Sequence, residues 1–225
     1  ECDDNTFVIG AYFNFHCAFK KKYNSYIFFN SHSEINGKNW FDYLSNKIQT
    51  QEYNLVGSTV CFSSMKGPKN LKLNLQYIIW FLYLRMQGLR YYHYLQPIFF
   101  KLGKFNNITF KSYPNPHIRT NAFCISSEFF EKFFLSVYYP TNKFHIHLLE
   151  SSNIGLTHFV KSNGGRMALV TKNGSYINED QWHLNPCFNA DNNVQSLVLD
   201  NQIRNFYEKS KKKQEFISFS IWGQI

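Results

Sequence analysis

Three polar residues at the end of an apolar run have the types and the position that could bind a ligand. Asn30, Ser31 and His32 follow directly after Tyr26–Phe29. That run predicts a strand buried on both faces of a parallel sheet. Because open α/β sheets bind ligands at the carboxyl edge of their strands, we expect Asn30, Ser31 and His32 to contact a substrate. The alternative is an ordinary turn in which Asn and Ser satisfy local hydrogen bonds.

A second group, His117, Arg119 and Thr120, follows the proline-rich stretch Tyr113–Pro116. Each proline biases the residue before it towards extended geometry, so this stretch is not helical and leads into a strand. The planar guanidinium of arginine matches anionic oxygens, which indicates a binding role at this junction of loop and strand. The alternative is a structural arginine that pairs with a carboxylate of the protein itself.

The elements that must position these residues alternate between strand and helix. The spacing predicts these helices: 6–19, 40–48, 71–87, 128–137, 155–162 and 191–210. The predicted strands are 26–29, 53–62 interrupted at Gly57, 118–125 and 167–171, the last followed by a turn at Asn173-Gly174. This alternation predicts an α/β fold with a mainly parallel sheet flanked by helices. We expect one domain over residues 1–225, with the sheet core in 1–140 and a C-terminal part in 141–225.

Composition limits the class of protein. The formal net charge of the 225 residues is +9, and Lys, Asn, Ile, Phe and Tyr are all abundant, a bias that an A+T-rich genome also produces. Five scattered cysteines give neither a disulfide framework nor zinc-ligand spacing, which favours a reducing cytoplasm. The apolar run Leu75–Leu84 is far shorter than the ~20 residues that span a bilayer, so we predict no transmembrane segment. Peripheral association with a membrane remains open.

Several segments, in order, resemble bacterial glycosyltransferases of the GT-A type, near the rhamnan-synthesis and capsular-polysaccharide enzymes. The first four are GAY (10–12), YIFFNSH (26–32), LVGSTV (55–60) and PHIRTNAF (116–123). Further matches lie in ESS (150–152), GGRMALVTKNG (164–174) and DNQIR (200–204). The resemblance covers most of the chain, although each motif is short.

This resemblance implies a Rossmann-like GT-A fold and a reaction. The expected activity is transfer of a sugar from a nucleotide-sugar donor to a glycan or lipid-linked acceptor in surface polysaccharide synthesis. It implies that Asn30 and His32 lie near the donor and Arg119 near its diphosphate. Glu150 is then the candidate base for the acceptor hydroxyl, with Asp191 as a second candidate. The alternative for Glu150 is a capping or salt-bridged carboxylate.

The sequence departs from the family pattern in two ways. Many GT-A enzymes hold a divalent metal with an Asp-any-Asp motif, because a hard cation takes oxygen ligands. Here that strand end is Asn30-Ser31-His32, which leaves Mg²⁺ or Mn²⁺ as an open alternative and no certain cofactor. His32 or Arg119 would then balance the charge of the leaving group. The first strand and helix that bind the nucleotide base are expected to precede Glu1.

Two functions of other classes compete with sugar transfer. A non-catalytic carbohydrate-binding or scaffold protein would keep the transferase fold and lack its carboxylates. A basic nucleic-acid-binding protein would gather its Lys and Arg residues on one face. We predict no nucleic-acid partner, because an excess of Lys more commonly marks a solvated surface.

Overall fold

The computed structural model describes residues 7–19, 22–64, 110–137, 143–184 and 195–222. The α-helices there are α1 Phe7–Phe19, α2 Trp40–Gln49, α3 Ser127–Ser136, α4 Lys143–Ser151, α5 Leu156–Ser162, α6 Asn201–Tyr207 and α7 Lys211–Trp222. The strands are β1 Ser25–Phe29, β2 Glu34–Ile35, β3 Leu55–Gly57, β4 Val60–Cys61, β5 His117–Ile118, β6 Ala122–Ser126, β7 Met167–Val170, β8 Tyr176–Asn178 and β9 Val198–Leu199. A 3₁₀ helix covers Glu179–Leu184.

A five-stranded mixed sheet organises the molecule, in the order β1-β6-β3-β7-β8. The prediction of a mixed α/β fold is confirmed, but the prediction of a mainly parallel sheet is wrong. Among the described strands of this sheet, β3 and β7 pair in parallel, whereas the β1–β6, β3–β6 and β7–β8 pairings are antiparallel. The reason is that β6 is inserted between β1 and β3 in the opposite direction. The sheet also takes β7 and β8 from the C-terminal part, so it is not confined to residues 1–140.

The predicted strand at Tyr26–Phe29 forms as β1, but its surroundings differ from the prediction. It is an edge strand of the sheet, and only Tyr26 and Phe28 of its five residues are buried. Aromatic or aliphatic side chains at every position from Tyr26 to Phe29 gave an unbroken apolar run in the sequence. The structure instead places alternate side chains in two separate cores, with Ile27 and Phe29 half-buried on the second face.

Helices cover both faces of the sheet. The larger core lies under α1, α3 and α5 and takes Phe28 of β1, Phe123 and Ile125 of β6 and Leu169 of β7. The smaller core lies under α2 and takes Val56, Cys124 and Val170 from the opposite face of the same strands. Because successive strand residues point to opposite faces, one sheet can supply both cores.

Two predicted strands are each split by a polar turn. The 53–62 segment breaks after Gly57, and the 118–125 segment breaks at Arg119–Asn121. The released ends pair with each other as the two-stranded β4–β5 ribbon, with Cys61 opposite His117. The interruption at Gly57 marks a close approach, as predicted, because an added Cβ would lie 2.3 Å from Cγ2 of Ile118.

The predicted helix over 191–210 is wrong for Val198–Leu199, which forms β9 against β2. The helix begins only after Asp200, whose side chain accepts a hydrogen bond from the Ile203 amide as a helix N-cap. Val198 and Leu199 carried the apolar periodicity, and pairing with Glu34–Ile35 overrode it. The predicted helix 71–87, the run Leu75–Leu84 and residues 191–194 lie outside the described residues.

Candidate functional site

The carboxyl ends of β1, β3 and β7 lie at one edge of the sheet, because these three strands run in the same direction. We call this the strand-end edge and define it by Asn30–Ser33, Ser58–Thr59 and Arg119–Asn121. The first two segments follow β1 and β3, and the third precedes the antiparallel β6. In α/β sheets such an edge is where loops with polar side chains bind ligands.

Asn30 joins the strand-end edge through its backbone and forms a turn with its side chain. Its amide donates to the carbonyl of Asn121 at 3.0 Å. Its Oδ1 accepts from the amide of His32 and the hydroxyl of Ser33, both at 2.9 Å. Ser31 and His32 are exposed. The position agrees with the sequence-based expectation, and the hydrogen bonds are those of the ordinary-turn alternative.

Asn121 and Ser58 are polar residues of this edge that the sequence interpretation missed. Asn121 is 2% exposed, and its Oδ1 accepts from the Thr59 hydroxyl at 2.7 Å. Its Nδ2 and the hydroxyl of Ser58 are buried without a hydrogen-bond partner in the described part of the chain. A buried polar group without a hydrogen-bond partner lowers the stability of the fold by roughly 1–3 kcal/mol. The signal that pointed to Asn30, a change from apolar to polar at a strand end, was also present here.

Arg119 is anchored on the segment that begins α6. Its Nη2 lies 2.7 Å from Oδ2 of Asp200, and it donates to Oε1 of Gln202 at 3.2 Å. The side chains of Arg119 and Asp200 are only 11% and 1% exposed. The opposite oxygen of Asp200, Oδ1, caps α6 through the Ile203 amide. This geometry favours the structural alternative for Arg119, and it also holds a guanidinium rigidly beside the strand-end edge.

Glu150, near the end of α4, contacts the loop that contains Arg119. Its Oε1 accepts from both the amide and the hydroxyl of Thr120, each at 3.0 Å. Burial by itself would raise the pKa of Glu150. The positive charges of His117, Arg119 and His147 and the Thr120 amide outweigh burial and lower that pKa. Glu150 is therefore an ionised carboxylate at neutral pH, and its weak basicity makes it a poor proton acceptor.

His117 and Cys61 are an acid and a base that lie opposite each other on the β4–β5 ribbon. Nδ1 of His117 donates to the carbonyl of Asn115 at 2.7 Å, because a carbonyl oxygen only accepts. The ring belongs to the residue directly opposite Cys61 in the antiparallel register. Burial would raise the pKa of the Cys61 thiol, but His117 and Ser63 lower it. Burial would lower the pKa of His117, but Cys61 and Glu150 raise it.

The structure thus brings most of the predicted site residues into one connected region. Arg119 and Thr120 are sequence neighbours of Asn121, which bonds to Asn30, while Glu150 is joined through Thr120. The carbonyl of His32 accepts from Arg204 of α6 at 3.3 Å. Asp191 lies outside the described residues.

The resemblance to GT-A enzymes implies a divalent metal, but the described side chains at this edge do not fit one. Both carboxylate oxygens of Asp200 are engaged, by Arg119 and by the Ile203 amide. Oε1 of Glu150 already accepts hydrogen bonds from Thr120. Within residues 7–19, 22–64, 110–137, 143–184 and 195–222, no three His, Cys, Asp or Glu side chains gather as metal ligands.

A small cavity lies behind Thr120 in the larger core. Its volume is about 10 Å³, and its lining is apolar apart from Tyr12 and Thr120. That volume corresponds to about one water molecule, so the cavity is a packing defect and not a substrate site.

No model of a known protein family matches the chain, and no curated protein matches it. Among the helices in the described stretches, none is long and apolar enough to cross a membrane.

Proposed function

We propose that the protein transfers a sugar from a nucleotide-sugar donor to a hydroxyl of a glycan or lipid-linked acceptor, on a GT-A-like version of the mixed α/β fold. The observation that carries the proposal is the convergence of three segments of the family resemblance. The segments 26–32, 55–60 and 116–123 are far apart in sequence, yet their polar residues meet at the strand-end edge. Hydrogen bonds from Asn30 and Thr59 to Asn121 join them.

The charges at this edge support a donor that carries a diphosphate. In sugar transfer the acceptor oxygen attacks the anomeric carbon, and the bond from that carbon to the diphosphate oxygen breaks. The leaving group then gains negative charge, which a fixed guanidinium stabilises. Arg119 is the proposed group, because Asp200 and Gln202 hold it in one orientation. The buried Nδ2 of Asn121 and hydroxyl of Ser58 supply further polar groups beside it.

Transfer also needs a group that takes the proton of the acceptor hydroxyl. Glu150 is the proposed base, and Asp191 is the second candidate. The lowered pKa of Glu150 and its hydrogen bonds to Thr120 favour a positioning role for Glu150. A base in this state would keep transfer active down to pH values below the ordinary glutamate pKa of about 4.3. The pH profile of transfer by the Glu150→Gln variant separates the two roles. If Glu150 is the base, the substitution removes the acidic limb of the profile, and if Glu150 only positions Thr120, the limb stays.

Donor binding is the direct test. We would titrate the chain with uridine, guanosine, cytidine and thymidine diphosphates and their sugars by calorimetry, and follow release of nucleoside diphosphate. We expect one donor class to bind and the Arg119→Lys variant to bind it about tenfold more weakly, a loss of about 1.4 kcal/mol. Arg166→Lys is the matched control, because Arg166 lies before β7 at the opposite edge and donates to the carbonyl of Gln51.

The outcomes distinguish transfer from its rival. Equal losses in the Arg119→Lys and Arg166→Lys variants would contradict the proposed site, provided that both variants unfold at the wild-type denaturant concentration. The carbohydrate-binding alternative is favoured by the engagement of Arg119 and Glu150 in internal bonds. Binding of glycans with no affinity for any nucleotide sugar would establish that alternative and exclude transfer.

A further inference from the structure

The β4–β5 ribbon carries a nucleophile and a base outside the residues used for sugar transfer. Cys61 and His117 are direct partners in the antiparallel register, and they are 6% and 5% exposed. The sulfur lies 2.9 Å from the hydroxyl of Ser63 and accepts from the Ser63 amide at 3.4 Å. A thiol beside an imidazole, with two further donors on the sulfur, is the arrangement that activates cysteine nucleophiles.

Hydrogen bonds fix the tautomer of His117. Nδ1–H donates to the carbonyl of Asn115, which leaves Nε2 to accept the thiol proton. Asn115 is itself fully buried and held from two sides, because its Nδ2 donates to the Ser151 carbonyl at 2.7 Å and its Oδ1 accepts from Nε2 of His158 at 2.9 Å. Burial lowers the pKa of His158 to about 4, with further lowering by nearby positive charges, so His158 is neutral.

The groups around the pair favour the imidazolium form of His117 and the thiolate form of Cys61. His117 faces the carboxylate of Glu150, whose charge stabilises an imidazolium. Cys61 faces His117, Ser63 and Tyr113, whose pKa is raised by burial and then by the Cys61 charge. On the opposite side Cys61 packs in a small apolar cluster with Ile203 of α6, and Leu199 and Ile217 adjoin it.

From this geometry we propose that Cys61 is a modification site, a thiolate that reacts with hydrogen peroxide, and that His117 is its proton donor. The thiolate attacks one peroxide oxygen, so that an S–O bond forms and the O–O bond breaks. The departing hydroxide takes the Nε2 proton of His117 and leaves as water. Sulfur is oxidised to a sulfenic acid and peroxide is reduced. We choose peroxide as the oxidant because it is scarcely larger than water and Cys61 is only 6% exposed.

The modification would act on the region that holds Arg119. The new oxygen enters the apolar contact between Cys61 and Ile203. Ile203 is also the residue whose amide is capped by Asp200, the partner of Arg119. Placing a polar group there disfavours the packing of α6. The site does not depend on the proposed sugar transfer, since its chemistry uses only the ribbon and peroxide.

The test compares Cys61 with Cys124, a buried thiol on β6 in the apolar sheet. Cys2, Cys17 and Cys187 are changed to serine, so that these two cysteines remain. The native full chain is treated with hydrogen peroxide in the presence of dimedone near pH ~6.5, the ordinary histidine pKa. Mass spectrometry then measures the sulfenic acid adduct at each cysteine. We expect Cys61 to be labelled at least about tenfold faster than Cys124, the effect of one pKa unit.

Two variants separate activation from simple exposure. His117→Gln is expected to reduce labelling of Cys61 about tenfold. His158→Gln is the matched control, because His158 bonds Asn115 from the other side, a glutamine can still donate there, and labelling should persist. Both variants are first checked for wild-type unfolding midpoints, and unfolded protein must label at both cysteines. Equal labelling of Cys61 and Cys124 in the native protein, no labelling of either, or an unchanged rate in His117→Gln would overturn the proposal.

Discussion

Cys124 in the central sheet and Cys61 on the β4–β5 ribbon are both buried, yet their acid–base chemistry is opposite. Cys124 lies among the apolar residues of the smaller core, and burial raises its pKa to about 12. Cys61 is also buried, but His117 and Ser63 outweigh burial and lower its pKa. Burial alone therefore does not decide the state of a thiol, because the neighbouring donors and charges decide it.

The same contrast extends to the two regions as a whole. The sheet fills its two cores with alternating apolar side chains such as Leu55 and Val56. The ribbon and the loop that follows it bury ionisable groups that act on one another: Arg119 pairs with Asp200, and the charges of Cys61 and Glu150 raise the pKa of His117. A region of this second kind loses most stability when one partner is removed, because the other stays buried without compensation.

The largest effect is expected from breaking the buried ion pair. Asp200→Asn keeps an oxygen to cap the Ile203 amide but removes the charge that faces Arg119. We expect the free energy of unfolding to fall by about 3–5 kcal/mol, measured by urea denaturation. A loss below about 1 kcal/mol would mean that the pair behaves as a surface salt bridge and that the contrast between the two regions is wrong.

A smaller loss is expected where the sheet meets the ribbon. In Gly57→Ala the new Cβ would lie 2.3 Å from Cγ2 of Ile118, so overpacking should cost about 1–3 kcal/mol in urea unfolding. The double variant with Ile118→Ala removes that methyl group. It should therefore be more stable than the sum of the two single changes predicts, and additive losses would contradict the close contact.

Glu150→Gln tests whether the carboxylate is ionised in the folded state. Glutamine can still accept from Thr120, so we expect a loss of only about 1 kcal/mol at neutral pH, the difference between a charged and a neutral acceptor. The folded-state pKa of Glu150 lies below its ordinary value. The stability from its ionised form is therefore present above about pH 4.3 and is lost as the pH falls through the folded-state pKa.

Urea unfolding of both proteins across this pH range checks the expectation. The gap between wild type and Glu150→Gln should shrink as the solution becomes more acidic. A gap that stays constant with pH would show that the charge of Glu150 contributes nothing.

The smallest effect is expected at the surface. Glu128 and Lys132 form an exposed pair at 2.6 Å along α3, with more than half of each side chain exposed. Glu128→Gln should cost only about 0.3–0.5 kcal/mol and lose even that at high salt. It is the matched control for Asp200→Asn, and a comparable loss in the two variants would remove the distinction between buried and exposed pairs.

The local sequence determined those helices and strands in which apolar side chains recur at a constant spacing. The helix predicted at 40–48, the strand predicted at 26–29 and the hairpin predicted at Asn173-Gly174 all form, because apolar spacing and turn residues are properties of neighbouring residues. The strand end at Asn30 was also predicted from its change from apolar to polar, whereas the break at Arg119–Asn121 was not. The resemblance to glycosyltransferases directed attention to Arg119, Thr120 and Glu150, which the structure does bring together.

Tertiary structure alone decided strand direction and charge partners. Periodicity carries no information on direction, so the antiparallel insertion of β6 was not foreseen, and pairing with Glu34–Ile35 turned Val198–Leu199 from a predicted helix into a strand. Asp200 lies 81 positions from Arg119, and Cys61 lies 56 positions from His117. Ion pairs and hydrogen bonds at such separations depend on where the folded chain returns, and no local pattern records that.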